Sequence, residues 1–173
     1  MAAADGPSAD LHRDESLGGD DGRRVDAGFL VTVPVRWSDM DVFAHINHAR
    51  MVTLLEEARI PWLFYDERPT VGLRTGCLVA DLQVRYQGQL RHEQSPIEVT
   101  MFTTAVRAVD FTVGYEVRPA DADPQSKPAV VASTQLVSFD VDTQMPRRMT
   151  AEEKDYLRSF LRPDGRGATR TAR

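Results

Sequence analysis

The sequence predicts an α+β protein in which one long helix packs against a single antiparallel sheet. The first half carries apolar residues at helical spacing, and the second half alternates apolar and polar residues over long segments. Short links between these segments favour antiparallel neighbours. One amphipathic helix against one large sheet is a two-layer arrangement. Because a single helix cannot cover the whole sheet, self-association is expected, as a homodimer or a dimer of dimers.

Five segments are predicted to form the strands. The first is residues 29–37, FLVTVPVRW, where Pro34 predicts an edge position or a bulge. The other four follow the helix, at residues 77–88, 96–107, 110–118 and 129–141. Period-two alternation in these segments is typical of strands with one covered face. In the second strand that covered face is predicted to hold Leu78, Ala80, Leu82, Val84 and Tyr86.

The long helix is predicted from a single apolar stripe. Its members recur at spacings of three and four and are Met51, Leu54, Leu55, Ala58, Trp62 and Tyr65. Glu57 and Arg59 fall off this stripe, and Pro61 predicts a kink or a loosened last turn. A second, short helix is expected after Thr150, because Glu153 follows it at the spacing of a capping box.

The 173 residues suit one domain, predicted to span residues 28–162. Residues 1–27 have almost no bulky apolar side chains and cannot bury enough surface to offset the entropy of ordering them. We therefore expect a disordered leader there, and residues 163–173 predict a flexible tail for the same reason.

Composition excludes several classes of function. The formal net charge of −5 argues against nucleic acid as a partner. No apolar stretch is long enough for a membrane helix, and the amino terminus lacks the pattern of a secretory signal. The single cysteine, Cys77, cannot form an internal disulfide. We expect a cytoplasmic protein without membrane contact.

Candidate chemistry gathers where the first strand gives way to the helix. Asp39, Asp41, His45 and His48 lie within ten residues of one another. A helix start exposes unpaired backbone N–H groups and the positive end of the helix dipole, so Asp41 should be ionised near neutral pH. The same N–H groups can bind a developing oxyanion. A carboxylate beside them could attack an acyl carbon or activate a water for that attack.

Each of these residues also has a structural explanation. Asp39 or Asp41 could be a helix N-cap, and Asn47 is a common cap residue as well. The histidines could be surface or core residues. They lack further Cys, His or carboxylate partners at a familiar spacing, so no metal is expected. Glu56 and Glu57 are typical of a solvated, salt-bridged helix face. Spacing alone leaves the function open.

The run WSDMDVFAHINHARMVTLLEEAR, residues 37–59, resembles the signature of the 4-hydroxybenzoyl-CoA thioesterase-like branch of the hotdog superfamily. That signature has a strand ending in Asp-x-Asp, then His-[Val/Ile]-Asn-Asn, then a helix with Glu-x-x-Arg. The resemblance covers roughly residues 29–148. It implies a hotdog fold, in which a long central helix is wrapped by a five-stranded antiparallel sheet and the active site forms between two subunits. His48 departs from the signature, because a second Asn is common at its position.

The resemblance implies that Asp41 is the catalytic carboxylate and that His45 and Asn47 orient it, a water or the thioester. Backbone amides from Phe43 through Ala44 and Ile46 to Asn47 would contact the substrate carbonyl. The implied activity is hydrolysis of an acyl-CoA to a free acid and CoA, with no cofactor. Surface arginines would meet the CoA phosphates; the candidates are Arg85, Arg91, Arg147 and Arg148.

Two alternatives remain open at the level of sequence. A hotdog hydratase or dehydratase typically separates its Asp and His by five positions with an intervening Pro, whereas Asp41 and His45 are four apart without one. A non-catalytic acyl-CoA binding or sensing protein would be expected to lack the carboxylate or to carry a DNA-binding domain. The presence of Asp41 therefore favours the thioesterase.

Overall fold

The computed structural model describes residues 22–26 and 28–162. Within them the chain forms an α+β fold with seven strands and two α-helices. The strands are β1 (Arg23–Val25), β2 (Gly28–Val33), β3 (Cys77–Tyr86), β4 (Ile97–Val106), β5 (Asp110–Pro119), β6 (Val130–Asp140) and β7 (Met145–Pro146). The helices are α1 (His48–Leu63) and α2 (Ala151–Arg158). No helix in these residues is long and apolar enough to cross a membrane.

The strands form one antiparallel sheet in the order β1-β2-β4-β5-β6-β3, with β7 paired to β6. The five predicted strands correspond to β2, β3, β4, β5 and β6. The expected count of five is corrected to seven, because β1 and β7 have only three and two residues. Such short segments leave no alternation to detect.

Helix α1 packs against β2 and β4 and closes the core. All predicted stripe residues within the helix are buried, and burying each large apolar side chain contributes about 1.5–3 kcal/mol. Trp62 stacks on Phe29 with ring centroids 6.1 Å apart and meets Phe160 edge-on at 5.3 Å. The helix ends at Leu63, so Tyr65 of the predicted stripe lies beyond it.

Arg59 is the exception on this helix. It was expected off the buried stripe, yet it is 6% exposed. Its Nη1 donates to the Tyr115 hydroxyl at 3.2 Å, and its Nη2 lies 3.7 Å from a carboxylate oxygen of Glu56. A phenol and a carboxylate thus let the guanidinium stay at the helix–sheet interface. Burial raises the pKa of Tyr115, so its phenol remains a neutral partner.

The ends of the first predicted strand also need correction. The domain was predicted to begin at Gly28, but β1 precedes it and pairs with β2 from Arg23 to Val25. Strand β2 ends at Val33 instead of continuing to residue 37, because Trp37–Asp39 form a 3₁₀ turn. Pro34 therefore follows the strand and makes neither an edge nor a bulge. The rest of the predicted leader and the predicted tail lie outside the described residues.

Strand β3 is an edge strand of the sheet, and most of its residues are exposed on both faces. Its register shifts between Val79 and Asp81, which marks a β-bulge. The bulge breaks the predicted alternation, so Leu78 pairs with Val137 while Val79 pairs with the buried Leu136. The first residue of β3 is Cys77, and burial raises the pKa of its thiol to about 11.

The short helix α2 follows its prediction closely. The Thr150 side chain accepts from the Glu153 amide at 3.1 Å, and the Glu153 carboxylate accepts from the Thr150 amide at 2.7 Å. The predicted capping box is therefore confirmed. Glu153 also forms an ion pair with Arg147 at 2.8 Å. Arg147, one of the arginines suggested for the CoA phosphates, is therefore already paired with a buried carboxylate.

Candidate active site

The predicted site residues all lie in one loop between the end of β2 and the start of α1. Its base is closed by Asp39, whose buried carboxylate accepts from the Arg36 amide at 2.8 Å. The Asp39 carbonyl accepts from the Asn47 amide at 2.8 Å, and Met40 and Ile46 form an antiparallel bridge. Asp39 is thus a structural residue, and residues 41–45 project from the closed base.

Asp41 organises the projecting turn. One of its carboxylate oxygens, Oδ1, accepts from the Phe43 amide at 2.8 Å and from the His45 amide at 3.1 Å. Its backbone N–H donates to the His45 carbonyl at 2.8 Å, and its carbonyl accepts from Ala44 at 3.1 Å. Ala44 has a φ of 59°, in the left-handed region, where a non-glycine residue costs about 1–2 kcal/mol. The hydrogen bonds of the turn offset this strain.

These contacts keep Asp41 ionised. The backbone N–H of His45 is the main reason that the pKa of this carboxyl lies below its usual value of 3.8. Desolvation is the next-largest effect and raises the pKa, while the Phe43 amide and the nearby His45 and His48 lower it further. Within the described residues Oδ2 receives no hydrogen bond. One oxygen is held and the other is available for a water or an acyl carbon.

The predicted oxyanion donors need a correction. Helix α1 begins at His48, so the amides from Phe43 to Asn47 belong to the preceding loop and not to the helix start. Each is already bonded within the chain. Phe43 and His45 donate to the Asp41 carboxylate and Ala44 to its carbonyl, while Ile46 donates to Leu90 at 2.9 Å and Asn47 to Asp39.

Unbonded amides lie on either side of this segment. Among the described residues, the backbone N–H groups of Val42, His48 and Arg50 have no hydrogen-bond partner. The His48 and Arg50 amides are in the first turn of α1, where helical N–H groups are unsatisfied by geometry and the helix dipole is positive. These two amides, and not those of the loop, meet the requirement for binding a developing negative charge.

Asn47 is the N-cap of α1. Its side-chain oxygen accepts from the Ala49 amide at 2.9 Å, which is the cap role considered for it from the sequence. The cap fixes the direction in which the helix leaves the loop. Asn47 thereby positions the first-turn amides relative to Asp41. Any direct contact with a substrate stays a prediction.

The end of β3 and its connection to β4 supply contacts that the sequence did not reveal. Tyr86 donates through its hydroxyl to the His48 carbonyl at 3.1 Å. The Leu90 carbonyl holds the Ile46 amide, and Arg91 Nη2 lies 3.4 Å from His45 Nε2. In the first of these side-chain contacts the two residues are separated by 38 positions in sequence, and in the second by 46 positions. A single sequence carries no direct signal for these contacts. The only indication is that the link between β3 and β4 lies at the same end of the sheet as the Asp41 loop.

Exposed apolar side chains lie on the loop and along the edge strand. Val42 is 93% exposed, Trp37 80% and Phe43 73%. Strand β3 adds Leu78, Val79 and Tyr86, each about half exposed. Large apolar side chains gathered on a surface mark interaction sites, since a monomeric protein exposes few such patches.

Three other features bear on the location and chemistry of the site. The carboxylates on α1 are both in ion pairs, Glu57 with Arg36 and Glu56 with Arg59, each at 3.7 Å. A cleft of about 480 Å³ is lined by Arg24, Phe160 and Arg162 among others, near the start of β2, whereas Asp41 follows its end. None of the predicted site residues lines this cleft. In the described part of the chain no three His, Cys, Asp or Glu side chains are grouped to hold a metal ion.

Known structures share this architecture. YbaW of Escherichia coli aligns with a TM-score of 0.64 at 18% identity, over 77% of this chain and 98% of that one. A thioesterase from Thermus thermophilus, solved with coenzyme A and Zn, aligns with a TM-score of 0.61 at 19% identity, over 76% and 92%. At these identities the likeness establishes the fold, which is the hotdog fold of thioesterases. No protein of curated function matches the sequence.

A family model assigns the chain more specifically. The model of the Thioesterase-like superfamily matches residues 35–162, which include the Asp41 loop, α1 and every strand from β3 onwards. The protein belongs to this superfamily.

Proposed function

We propose that the protein is an acyl-CoA thioesterase that uses Asp41 as its catalytic carboxylate. The observation that carries the proposal is the state of Asp41, which is ionised, fixed through one oxygen by two backbone amides, and open at the other. Membership of the Thioesterase-like superfamily supports the reaction class. The likeness to a thioesterase solved with coenzyme A supports the choice of thioester.

In the proposed reaction Asp41 Oδ2 takes a proton from water while the water oxygen bonds to the thioester carbon. The carbonyl oxygen becomes an oxyanion, for which the amides of His48 and Arg50 are the proposed donors. The C–S bond then breaks, the CoA sulfur leaves as a thiolate that takes the proton from Asp41, and the free acid is released. In the covalent variant Oδ2 itself bonds to the carbon, the C–S bond breaks to release the CoA thiolate, and water hydrolyses the resulting anhydride to the free acid and the Asp41 carboxylate.

We further propose that the working form is a homodimer or a dimer of dimers in the cytoplasm. Exposed apolar side chains beside Asp41 and along β3 favour burial against a second copy. Strand β3 also presents an edge of ten residues, to which another strand can pair. A second copy placed there would cover the Asp41 turn and exclude bulk water from the thioester.

The test compares hydrolysis of a panel of aliphatic and aromatic acyl-CoAs by the wild type, Asp41→Asn and Asp140→Asn, with a dye that reacts with released thiol. Asparagine keeps an oxygen for the two amides but loses the charge. We expect Asp41→Asn to lower kcat/KM by about 100-fold or more and Asp140→Asn to leave it within about twofold. Asp140 is a matched control, because its carboxylate also accepts two backbone amides, at 3.0 Å each.

Circular dichroism and thermal unfolding would confirm that both variants fold. Equal activity in the two variants would reject Asp41 as the catalytic carboxylate. A wild type that hydrolyses nothing but binds acyl-CoA would replace the enzyme with an acyl-CoA binding or sensing protein.

A further inference from the structure

Arg91 reaches the Asp41 loop from outside it. Its Nη2 lies 3.4 Å from Nε2 of His45, and the residue before it in sequence, Leu90, holds the Ile46 amide through its carbonyl. His45 is in turn tied to Asp41, because its backbone N–H donates to the Asp41 carboxylate at 3.1 Å. Arg91, His45 and Asp41 therefore form a continuous chain of contacts that ends at the proposed catalytic carboxylate.

The chemistry of the Arg91 contact restricts the imidazole. A guanidinium has five N–H donors and no acceptor, so a hydrogen bond with it requires a lone pair on the other atom. A neutral imidazole has one nitrogen with a lone pair and one with a proton, and the imidazolium has two protons and no lone pair. If Nε2 accepts from Arg91, the ring is neutral and its proton is on Nδ1.

We propose that Arg91 is a positioning residue that fixes His45 as the neutral Nδ1–H tautomer. A side-chain hydrogen bond from His45 to water or to the thioester then comes from Nδ1. This inference rests on the proposed function for its catalytic consequence, but the tautomer is a property of the free protein. The partner of a histidine ring often sets its tautomer and orientation in this way.

The direct test is the nitrogen NMR of His45 in protein carrying ¹⁵N-labelled histidine. In the wild type, Nε2 should resonate as an unprotonated nitrogen and Nδ1 as a protonated one. Arg91→Met removes the donor at similar length and should yield a mixture of tautomers, whereas Arg91→Lys restores a donor and should return the wild-type pattern. Lys127→Met is the control, because Lys127 is exposed and its side chain makes no hydrogen bond in the described structure.

A wild type with its proton on Nε2, or an Arg91→Met variant with an unchanged tautomer, would overturn the proposal. Neither result would affect the thioesterase assignment, which depends on acyl-CoA hydrolysis and on Asp41→Asn. Conversely, a protein without hydrolytic activity would leave the NMR result standing.

Kinetics separate positioning from substrate binding. Loss of one hydrogen bond predicts a kcat/KM about threefold to tenfold lower for Arg91→Met, mainly through kcat, with partial recovery in Arg91→Lys. An arginine that only binds CoA phosphates would instead raise KM and leave both kcat and the tautomer unchanged. That outcome would reject the positioning role.

Discussion

Two aspartates in this protein make nearly the same hydrogen bonds at opposite ends of the sheet. Asp41 and Asp140 each accept two backbone amides from residues two to four positions later. Each turn contains a non-glycine residue with positive φ, Ala44 at 59° and Gln144 at 56°. Backbone N–H groups are the main cause of a lowered pKa at both carboxyls. The local device is the same in the two turns.

Their surroundings differ. Asp41 has two histidines nearby, whereas the charge beside Asp140 is that of Arg147. Exposed apolar side chains flank both turns, Val42 and Phe43 in one and Val141 and Met145 in the other. Asp140 also ends a strand that continues into the β7 hairpin, whereas Asp41 precedes a helix in which the first-turn amides of His48 and Arg50 are unbonded. A turn that holds a carboxylate therefore does not by itself indicate a functional site. The open amides and the histidines distinguish a candidate site from a loop.

The largest expected effect comes from removing the second copy that we propose covers the Asp41 turn. Leu82 shares the helix-facing side of the sheet, because it pairs with the buried Thr134. Leu82→Lys would bury an unpaired charge in a dimer, at about 3–5 kcal/mol, which weakens dimerisation by about 100-fold or more. Sedimentation should show that the variant is a monomer, and the acyl-CoA assay should show little hydrolysis.

The neighbouring change Gln83→Lys is the control, because Gln83 pairs with Ser133 on the opposite face. It should stay dimeric and active. If the Leu82→Lys variant is monomeric and active, one copy completes the site. Coverage by a second copy would then not distinguish the Asp41 turn from the Asp140 turn.

The second prediction uses the positive-φ residues. Valine is strongly disfavoured in the left-handed region, so Ala44→Val and Gln144→Val should each lower the free energy of unfolding by more than about 1 kcal/mol in urea titrations. Only Ala44→Val should also lower kcat/KM, because it displaces the Asp41 carboxylate. Equal kinetic effects would mean that the two turns are not functionally distinct.

The smallest expected effect concerns acid stability. A carboxyl whose folded pKa is below its unfolded value stabilises the fold above the unfolded pKa, and this contribution is lost as pH falls through the folded pKa. Both carboxyls have a folded pKa below 3.8. The stability difference between the wild type and Asp41→Asn or Asp140→Asn should therefore be constant from about pH 7 to 5 and shrink below 3.8. A difference that widens in acid, measured by urea unfolding, would contradict the pKa directions.

The sequence predicts the parts of this molecule that depend on local patterns. The α1 stripe, five long strands and the Thr150 capping box follow from periodicity and spacing, and Asp41 is singled out by its motif. The start of α1 was predicted before His48, its actual first residue. An aspartate such as Asp41 can either cap a helix or close a separate turn, and the sequence does not distinguish the two. Arg59 was misplaced because its partner Tyr115 lies 56 residues away. The Arg91 contact was missed for the same reason.

The bulge in β3 shows a different limit. One additional residue reverses the faces of all residues on one side of it, and no residue type marks its position. Periodicity therefore identified the strand but not which side chains cover the core.

The reactivity of Cys77 allows opening of the edge strand β3 to be followed in real time. At about pH 8 a thiol with a pKa of about 11 is roughly 0.1% thiolate, so the folded protein should barely consume the dye that detects released CoA. Separation of the start of β3 from β6 would restore an ordinary thiol and speed labelling by about 100-fold. The labelling rate, followed against urea or protein concentration, therefore reports how often this end of the sheet opens and whether a second copy holds it shut.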